Sequence, residues 1–341
     1  MEPILTIENL SIAFKTRAGS VQAVRDISYT LHRGEVLGIV GESGSGKSVS
    51  SMSILGLLEK SATIDSQSAA QYDARNLLNL TRRQINTVRG AKIAMIFQDP
   101  MTCLNPLMKV GKQIAEVIRE HNPGVSGGEA KKRAIDLLNQ VKIPSAEKRY
   151  DAYPHEFSGG MRQRAMIAMA IACNPDILIA DEPTTALDVT IQAQIIRLLK
   201  SLQTEKNISI LFITHDLGVV AEICTRVAVM YGGKILEIGT VEEIFKRPSH
   251  PYTLGLMAAI PRVDQDRDTP LTPIAGSPPD MLMPPAGCPF YPRCLHARNH
   301  CIDHMPDGYT LSDTHYSRCW LLDPEAPTEG NPFKGGQEAS V

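Results

Sequence analysis

The sequence predicts an α/β fold built on a parallel sheet, and three features carry that expectation. First, EVLGIVG at 35–41 is short, apolar and closed by glycine, as a buried strand is. It leads into GESGSGKS at 41–48 and the helical run VSSMSILGLL behind it. Second, DILIAD at 176–181 and ISILFIT at 208–214 are further apolar runs of strand length. Third, the helical stretch IQAQIIRLLKSLQ at 191–203 lies between those two, which is the β-α-β order of parallel strands.

The other elements follow along the chain. Residues 4–14 (ILTIENLSIAF) and 21–31 (VQAVRDISYTL) have the β-branched, half-alternating pattern of paired strands, and IAMIF at 93–97 reads as another strand. Residues 105–173 carry helical patterns such as GKQIAEVIREH and GGEAKKRAIDLLNQV, so a mostly helical lobe is expected there. After about residue 248 the composition changes, and thirteen of the 23 prolines fall in 261–341. The expected division is a nucleotide-binding domain over 1–250, a separate loop-rich extension over 251–330 braced by cysteines, and a frayed tail over 331–341.

The 341 residues suffice for one large domain or two modest ones. With 43% hydrophobic and 21% charged residues, a sizeable core forms without staples. A net charge of -2 gives no basic excess for a nucleic-acid partner. MEPILTIENL lacks the features of a secretory signal, and no run approaches the ~20 apolar residues of a membrane-spanning helix. The expectation is a soluble or peripheral protein of the cytoplasm. Cys288, Cys294, Cys301 and Cys319 crowd one segment, and in a reducing compartment such grouping reads as metal ligation rather than disulfides.

GESGSGKS fits the pattern G-x-x-x-x-G-K-[ST] of a phosphate-binding loop, with a strand before it and a helix after it. Gly41, Glu42, Ser43, Gly44, Ser45, Gly46, Lys47 and Ser48 are therefore candidates for binding ATP. Glycines let backbone N–H groups converge on phosphate oxygens, and the helix N-terminus adds its positive end. Lys47 is expected to reach the β- and γ-phosphates, and the Ser48 hydroxyl to bind Mg²⁺. Such a loop needs a carboxylate on the tip of a buried strand to hold the metal, and Asp181 at the end of DILIAD supplies it. Glu182 follows, placed to polarise an attacking water.

FSGGM at 157–161, just before that strand, resembles the LSGGQ signature of ATP-binding-cassette (ABC) ATPases. ITHD at 213–216 likewise presents His215 where that family keeps its switch histidine. A second SGG, in VSGGE at 125–129, lies far upstream and opens a charged helix, so it reads as a loop and helix cap. The resemblance implies a P-loop NTPase of the ABC type, with a RecA-like core, an antiparallel β subdomain and an inserted helical subdomain. It implies that Ser158, Gly159 and Gly160 contact the γ-phosphate of ATP held by an opposing phosphate loop. It makes Gln98 the glutamine that senses Mg²⁺ and contacts a transmembrane partner, and Asp188 of TTALD a residue that reaches across a dimer interface. Phe14 is the candidate to stack on adenine, worth roughly 1–3 kcal/mol if nucleobase stacking is a guide, with a core position as the alternative.

Further stretches resemble the oligopeptide/dipeptide permease subfamily: FQDPMTCLNP at 97–106, YPHEFSGGMRQR at 153–164, DEPTTALDVTIQAQI at 181–195, HPYTLGLMAAIP at 250–261 and GCPFYPRC at 287–294. Together they span nearly the whole chain. The resemblance implies the ATP-hydrolysing subunit of an importer for di- and oligopeptides, peripheral on the cytoplasmic face of a bacterial inner membrane. It implies two transmembrane permease subunits, a second and paralogous ATP-binding subunit, and an extracytoplasmic peptide-binding protein as an indirect partner. An importer for nickel, glutathione or another small solute is the alternative; a soluble cassette protein without a transport role is a more distant one. The cysteine spacing C-x5-C-x6-C-x17-C suits an iron–sulfur cluster or zinc only by donor type, with unliganded thiols as a third reading. His296, His300, His304 and His315 are available to replace a cysteine around zinc. Resemblance to peptide-permease subunits that carry a [4Fe–4S] cluster favours iron.

Overall fold

The computed structural model describes residues 2–185, 187–259 and 273–334, which divide into two compact units. One, the helical unit, holds residues 2–4, 31–36 and 76–213; the other, the loop unit, holds 5–30, 37–75 and the described residues from 214 onward.

β1 (Pro3–Thr16) and β2 (Gly19–His32) alternate apolar and polar residues, and each carries one break in the alternation. Leu5 and Ile7 are buried, then Leu10 and Ile12, and Asn9 at φ 49 absorbs the odd residue between the pairs. Asp26 at φ 51 does the same between Val24 and Ile27. Asn and Asp tolerate the left-handed region better than other side chains, so each strand keeps its apolar face inward through a bulge. β3 (Val36–Val40), with all five residues buried, delivers the chain to α1 (Lys47–Ile54). β4 (Ala62–Ile64) and β5 (Ala69–Tyr72) pair antiparallel with β1, and the short β6 (Arg75–Asn76) follows.

In the helical unit, α2 (Arg82–Val88) opens on a capping box between Thr81 and Gln84 and precedes β7 (Ile93–Ile96). Five helices come next: α3 (Pro100–Cys103), α4 (Val110–His121), α5 (Gly127–Gln140), α6 (Ala146–Tyr150) and α7 (Gly159–Ala170). α4 and α5 lie against each other, and both meet α6 and α7. β8 (Ile177–Asp181), α8 (Val189–Lys206) and β9 (Ser209–Thr214) then form the expected β-α-β unit. β8 runs parallel to both neighbours, with Ile177 opposite Ile93 of β7 and Ser209 of β9.

The chain re-enters the loop unit through α9 (Leu217–Ile223) and β10 (Arg226–Tyr231), which pairs parallel with β3. Gly232 and Gly233, both at positive φ, turn β10 tightly into the antiparallel β11 (Lys234–Thr240). α10 (Val241–Lys246) and α11 (Pro251–Ala258) follow, the latter started by Pro251 at its first position and capped by His250. Beyond lie α12 (His300–Asp303), β12 (Tyr309–Thr310) and β13 (Tyr316–Ser317).

The extension does not stand apart. β13 pairs with β11, placing Ser317 opposite Glu237, and Phe290 joins Tyr231 and Tyr252 in one aromatic cluster with ring centroids 4.5–5.4 Å apart. Nor does fraying begin at residue 331: Asn331 is buried and its side-chain amide donates to the Leu321 carbonyl at 2.8 Å. The rest of the expected tail, 335–341, lies outside the described residues. No helix among the described residues is long and apolar enough to cross a membrane.

Candidate active site

In the loop unit, the chain leaves β3 through Gly41, Gly44 and Gly46, all at positive φ. Gly46 illustrates the requirement: a Cβ there would collide with the Ala23 carbonyl and approach the Met230 methyl to 2.9 Å. α1 starts immediately behind, so the positive end of its backbone dipole lies at the loop. Lys47 is buried, and its ammonium donates to the carbonyls of Gly41 (2.7 Å) and Glu42 (2.8 Å) and to Ser45 Oγ (3.4 Å). A helix N-terminus behind a glycine-rich loop, beside a held cation, suits a polyanion. Ser48 follows, half-buried on α1.

Glu42 is fastened by the extension. Its backbone N–H donates to the Tyr252 hydroxyl at 3.0 Å, and Arg293 Nη1 donates to both carboxylate oxygens at 3.0 and 2.8 Å. Burial alone would lower the Arg293 guanidinium; hydrogen bonds to Glu42 and Tyr231 raise it on balance. Sequence reasoning missed Arg293 and Tyr252 as site residues, although both lie in stretches it singled out, HPYT and GCPFYPRC.

Phe14 is half-buried near the end of β1, opposite Ala62 of β4, and is not among the buried core residues. His215 is exposed just after β9, and Asp216 beside it caps α9 by accepting from the Gly218 N–H at 2.9 Å.

In the helical unit, Asp181 ends β8 and is buried. Glu182 takes a left-handed φ of 46, and its N–H donates to the Ile213 carbonyl at 2.9 Å. The Glu182 carboxylate accepts from the Thr185 hydroxyl at 2.8 Å and from the Gln98 amide at 3.1 Å, so Gln98 and Glu182 come together. Ser158 caps α7 by accepting from the Met161 N–H at 3.3 Å. Gly159 is exposed, whereas a Cβ on Gly160 would come within 2.7 Å of Ile191 on α8. Asp188 is exposed and caps α8, accepting from the Ile191 N–H at 2.9 Å. The second SGG is built alike at its first residue, with Ser126 capping α5.

None of the seven cysteines forms a disulfide. Burial pushes the Cys288 thiol up to about 12 and the Cys294 thiol up to about 11, and raises Cys319 as well. The neighbouring thiols add to the rise at Cys288 and Cys319. Among the described residues, however, no group of three or more His, Cys, Asp or Glu could hold a metal ion. Neither of the expected groups, an iron–sulfur cluster or its zinc alternative, finds an assembled ligand set there. Histidines named as substitute ligands are engaged elsewhere: His315 pairs with buried Glu237 at 2.8 Å, His296 contacts the Gly330 carbonyl at 3.0 Å, and His300 lies against Trp320.

Fold and motifs together define an ABC-type ATPase, and the comparisons agree. The ABC transporter profile matches residues 24–185, and the ATP-binding cassette MJ0796, in a dimeric post-hydrolysis state bound to ADP and Pi, is similar with a TM-score of 0.63 at 27% identity, covering 70% of this chain and 99% of that one. The profile of the oligopeptide/dipeptide transporter C-terminal region matches residues 236–301. The oligopeptide transport ATP-binding protein OppD of Bacillus subtilis is 53% identical over 324 residues, covering 95% of this chain and 90% of its own. The dipeptide transport ATP-binding protein DppD of Lactococcus lactis is 52% identical over 326 residues, covering 96% and 93%. The chain belongs to the oligopeptide/dipeptide transport ATP-binding proteins of the ABC transporter family.

Proposed function

We propose that this protein is the ATP-hydrolysing subunit of an importer that powers uptake of di- and oligopeptides across the bacterial inner membrane. The observation that carries the reading is a phosphate loop, Gly41–Ser48, gripped by the HPYT and GCPFYPRC segments, which lie within residues 236–301 matched by the oligopeptide/dipeptide transporter C-terminal region. The loop N–H groups and Lys47 take the phosphates, Phe14 the adenine, and Ser48, Gln98 and Asp181 would hold Mg²⁺, which supplies charge neutralisation at the phosphates. Glu182 orients and deprotonates the attacking water, and His215 steadies the γ-phosphate. Ser158, Gly159 and Gly160 complete the site of a second, paralogous ATP-binding subunit, with Asp188 at their interface. Binding closes the pair and hydrolysis reopens it, moving two permease subunits to which this chain is attached at the cytoplasmic face.

Within this reading residues 1–250 are the motor, with its helical part at about 105–173, and 251–330 the extension. A [4Fe–4S] cluster on Cys288, Cys294, Cys301 and Cys319 is the finer proposal. The Cys288 N–H donates to the Cys301 carbonyl at 2.9 Å, which brings two of the four together and supports it, whereas among the described residues no group of three or more such side chains is assembled to hold a metal. Iron and acid-labile sulfide in anaerobically purified protein decide it.

Function is tested by ATP-driven uptake in vesicles carrying the reconstituted transporter. Di- and oligopeptides are expected to accumulate only with ATP. Uptake of nickel or glutathione in their place would overturn the peptide assignment.

A further inference from the structure

A carboxylate inside a phosphate loop is an electrostatic liability, because the N–H groups and Lys47 gathered there suit a polyanion. Glu42 is such a carboxylate, and its side chain is only half-buried, with 27% of its surface exposed. Arg293 answers it from the far end of the chain. The guanidinium side chain is 6% exposed and shares its donors among four acceptors: Nη1 with Glu42 and the Tyr231 hydroxyl (3.0 Å), Nη2 with the Ile274 carbonyl (2.9 Å), and Nε with the Ala275 carbonyl (2.8 Å). The planar fork of arginine meets this set; a lysine ammonium, a point donor, does not.

The scaffold behind Arg293 is fixed as well. Arg293 ends a tight turn, Tyr291–Arg293, between Cys288 and Cys294. The turn is held by Arg293 N–H to the Phe290 carbonyl (3.0 Å) and Cys288 N–H to the Cys301 carbonyl (2.9 Å). Tyr252, buried in the same aromatic cluster as Phe290, accepts the Glu42 backbone N–H. The extension thus grips one loop residue by both its backbone and its charge.

We propose that Arg293, together with Tyr252, is a positioning residue for nucleotide binding: it neutralises Glu42 and pins the loop behind Gly41, so that the C-terminal extension sets the loop's affinity for ATP. This rests on the nucleotide role assigned to the loop, and not on the identity of the transported solute.

The test uses the full-length chain, MgATP titrations and thermal unfolding run side by side. Arg293→Gln is expected to raise the Kd for MgATP about 5- to 10-fold, the scale of losing one charge-assisted contact. Glu42→Gln added to that variant is expected to bring the Kd back to within about twofold of the parent, because the stranded charge is gone. Arg293→Lys should fall between the two. An unchanged Kd in Arg293→Gln overturns the proposal. So does a weakened Kd that the second substitution fails to restore, since that marks Arg293 as a folding element only. Parent protein that binds no MgATP sinks the nucleotide reading itself, whereas failed peptide uptake with intact ATP binding sinks only the transport assignment.

Discussion

The Gln98 side-chain amide donates to the Glu182 carboxylate at 3.1 Å, and the Thr185 hydroxyl donates to the same oxygen at 2.8 Å. Two donors on one oxygen orient the carboxylate, and the backbone beneath it is equally constrained. A non-glycine residue at φ 46 costs on the order of 1 kcal/mol, and such strain persists where the surroundings enforce it, as functional sites do. Glu182 is therefore set in place on the strand tip rather than swinging from it.

Glu182→Gln keeps the size and the oriented backbone but removes the proposed base. ATP turnover is expected to fall about 10²- to 10⁴-fold while ATP binding persists, trapping the closed pair. Phosphate release and nucleotide binding measured on the same preparation check this. Undiminished turnover would remove Glu182 from the mechanism.

Lys47→Ala takes away the ammonium that the Gly41 and Glu42 carbonyls hold in the loop. The expected result is a loss of at least about tenfold in MgATP affinity, from the missing charge-assisted contact to phosphate. Equilibrium binding reads it directly, and parent-like affinity would contradict the assignment.

The two signature glycines should separate structure from catalysis. Gly160→Val presses on Ile191 of α8 and is expected to destabilise the fold by about 1–3 kcal/mol. Gly159→Ala meets nothing within 4 Å in this chain, so its stability should stay within about 0.5 kcal/mol of the parent. If Gly159 faces nucleotide on a second subunit, its ATPase rate drops all the same. Urea unfolding and steady-state turnover of both variants test the pair of statements.

His250 supplies a pH dependence. It is fully buried, and burial pushes its imidazole down from 6.5 to about 3, while its Nδ1 accepts from the Tyr252 N–H at 3.0 Å. The native state holds this ring neutral and the unfolded state protonates it, so its contribution is intact above pH 6.5 and lost as pH falls towards 3. One proton gives up to about 1.4 kcal/mol per pH unit, or about 1.6 kcal/mol between pH 6.5 and 5. His250→Asn, which keeps a cap, should remove that slope in urea unfolding across the range; an unchanged slope would show that other groups cause it.

What the sequence revealed was local. Val36–Val40 is apolar throughout because both faces of the strand are buried, and the loop that follows needs glycines at defined steps, so both are visible in a short window. Ser158 and Asp188 were also visible as motif residues, yet within the chain each is a helix cap, and only a second subunit could reveal more. Pairings between distant segments left no such mark. Nothing local to Tyr316 and Ser317 announces a strand, because two residues form one only when β11 offers its edge. Four cysteines close in sequence suggested a metal ion; burial and aromatic packing at Cys288 depend on Tyr231 and Tyr252, which no cysteine spacing encodes.

Glu42 and Arg293 stand 251 positions apart. During synthesis the loop emerges long before its counter-ion, so the carboxylate precedes its partner in every nascent chain. A product terminated or clipped ahead of residue 293 never acquires that partner. The ion pair closes only once the chain has reached residue 293, so the charge balance of the loop near the start is settled by a segment made much later.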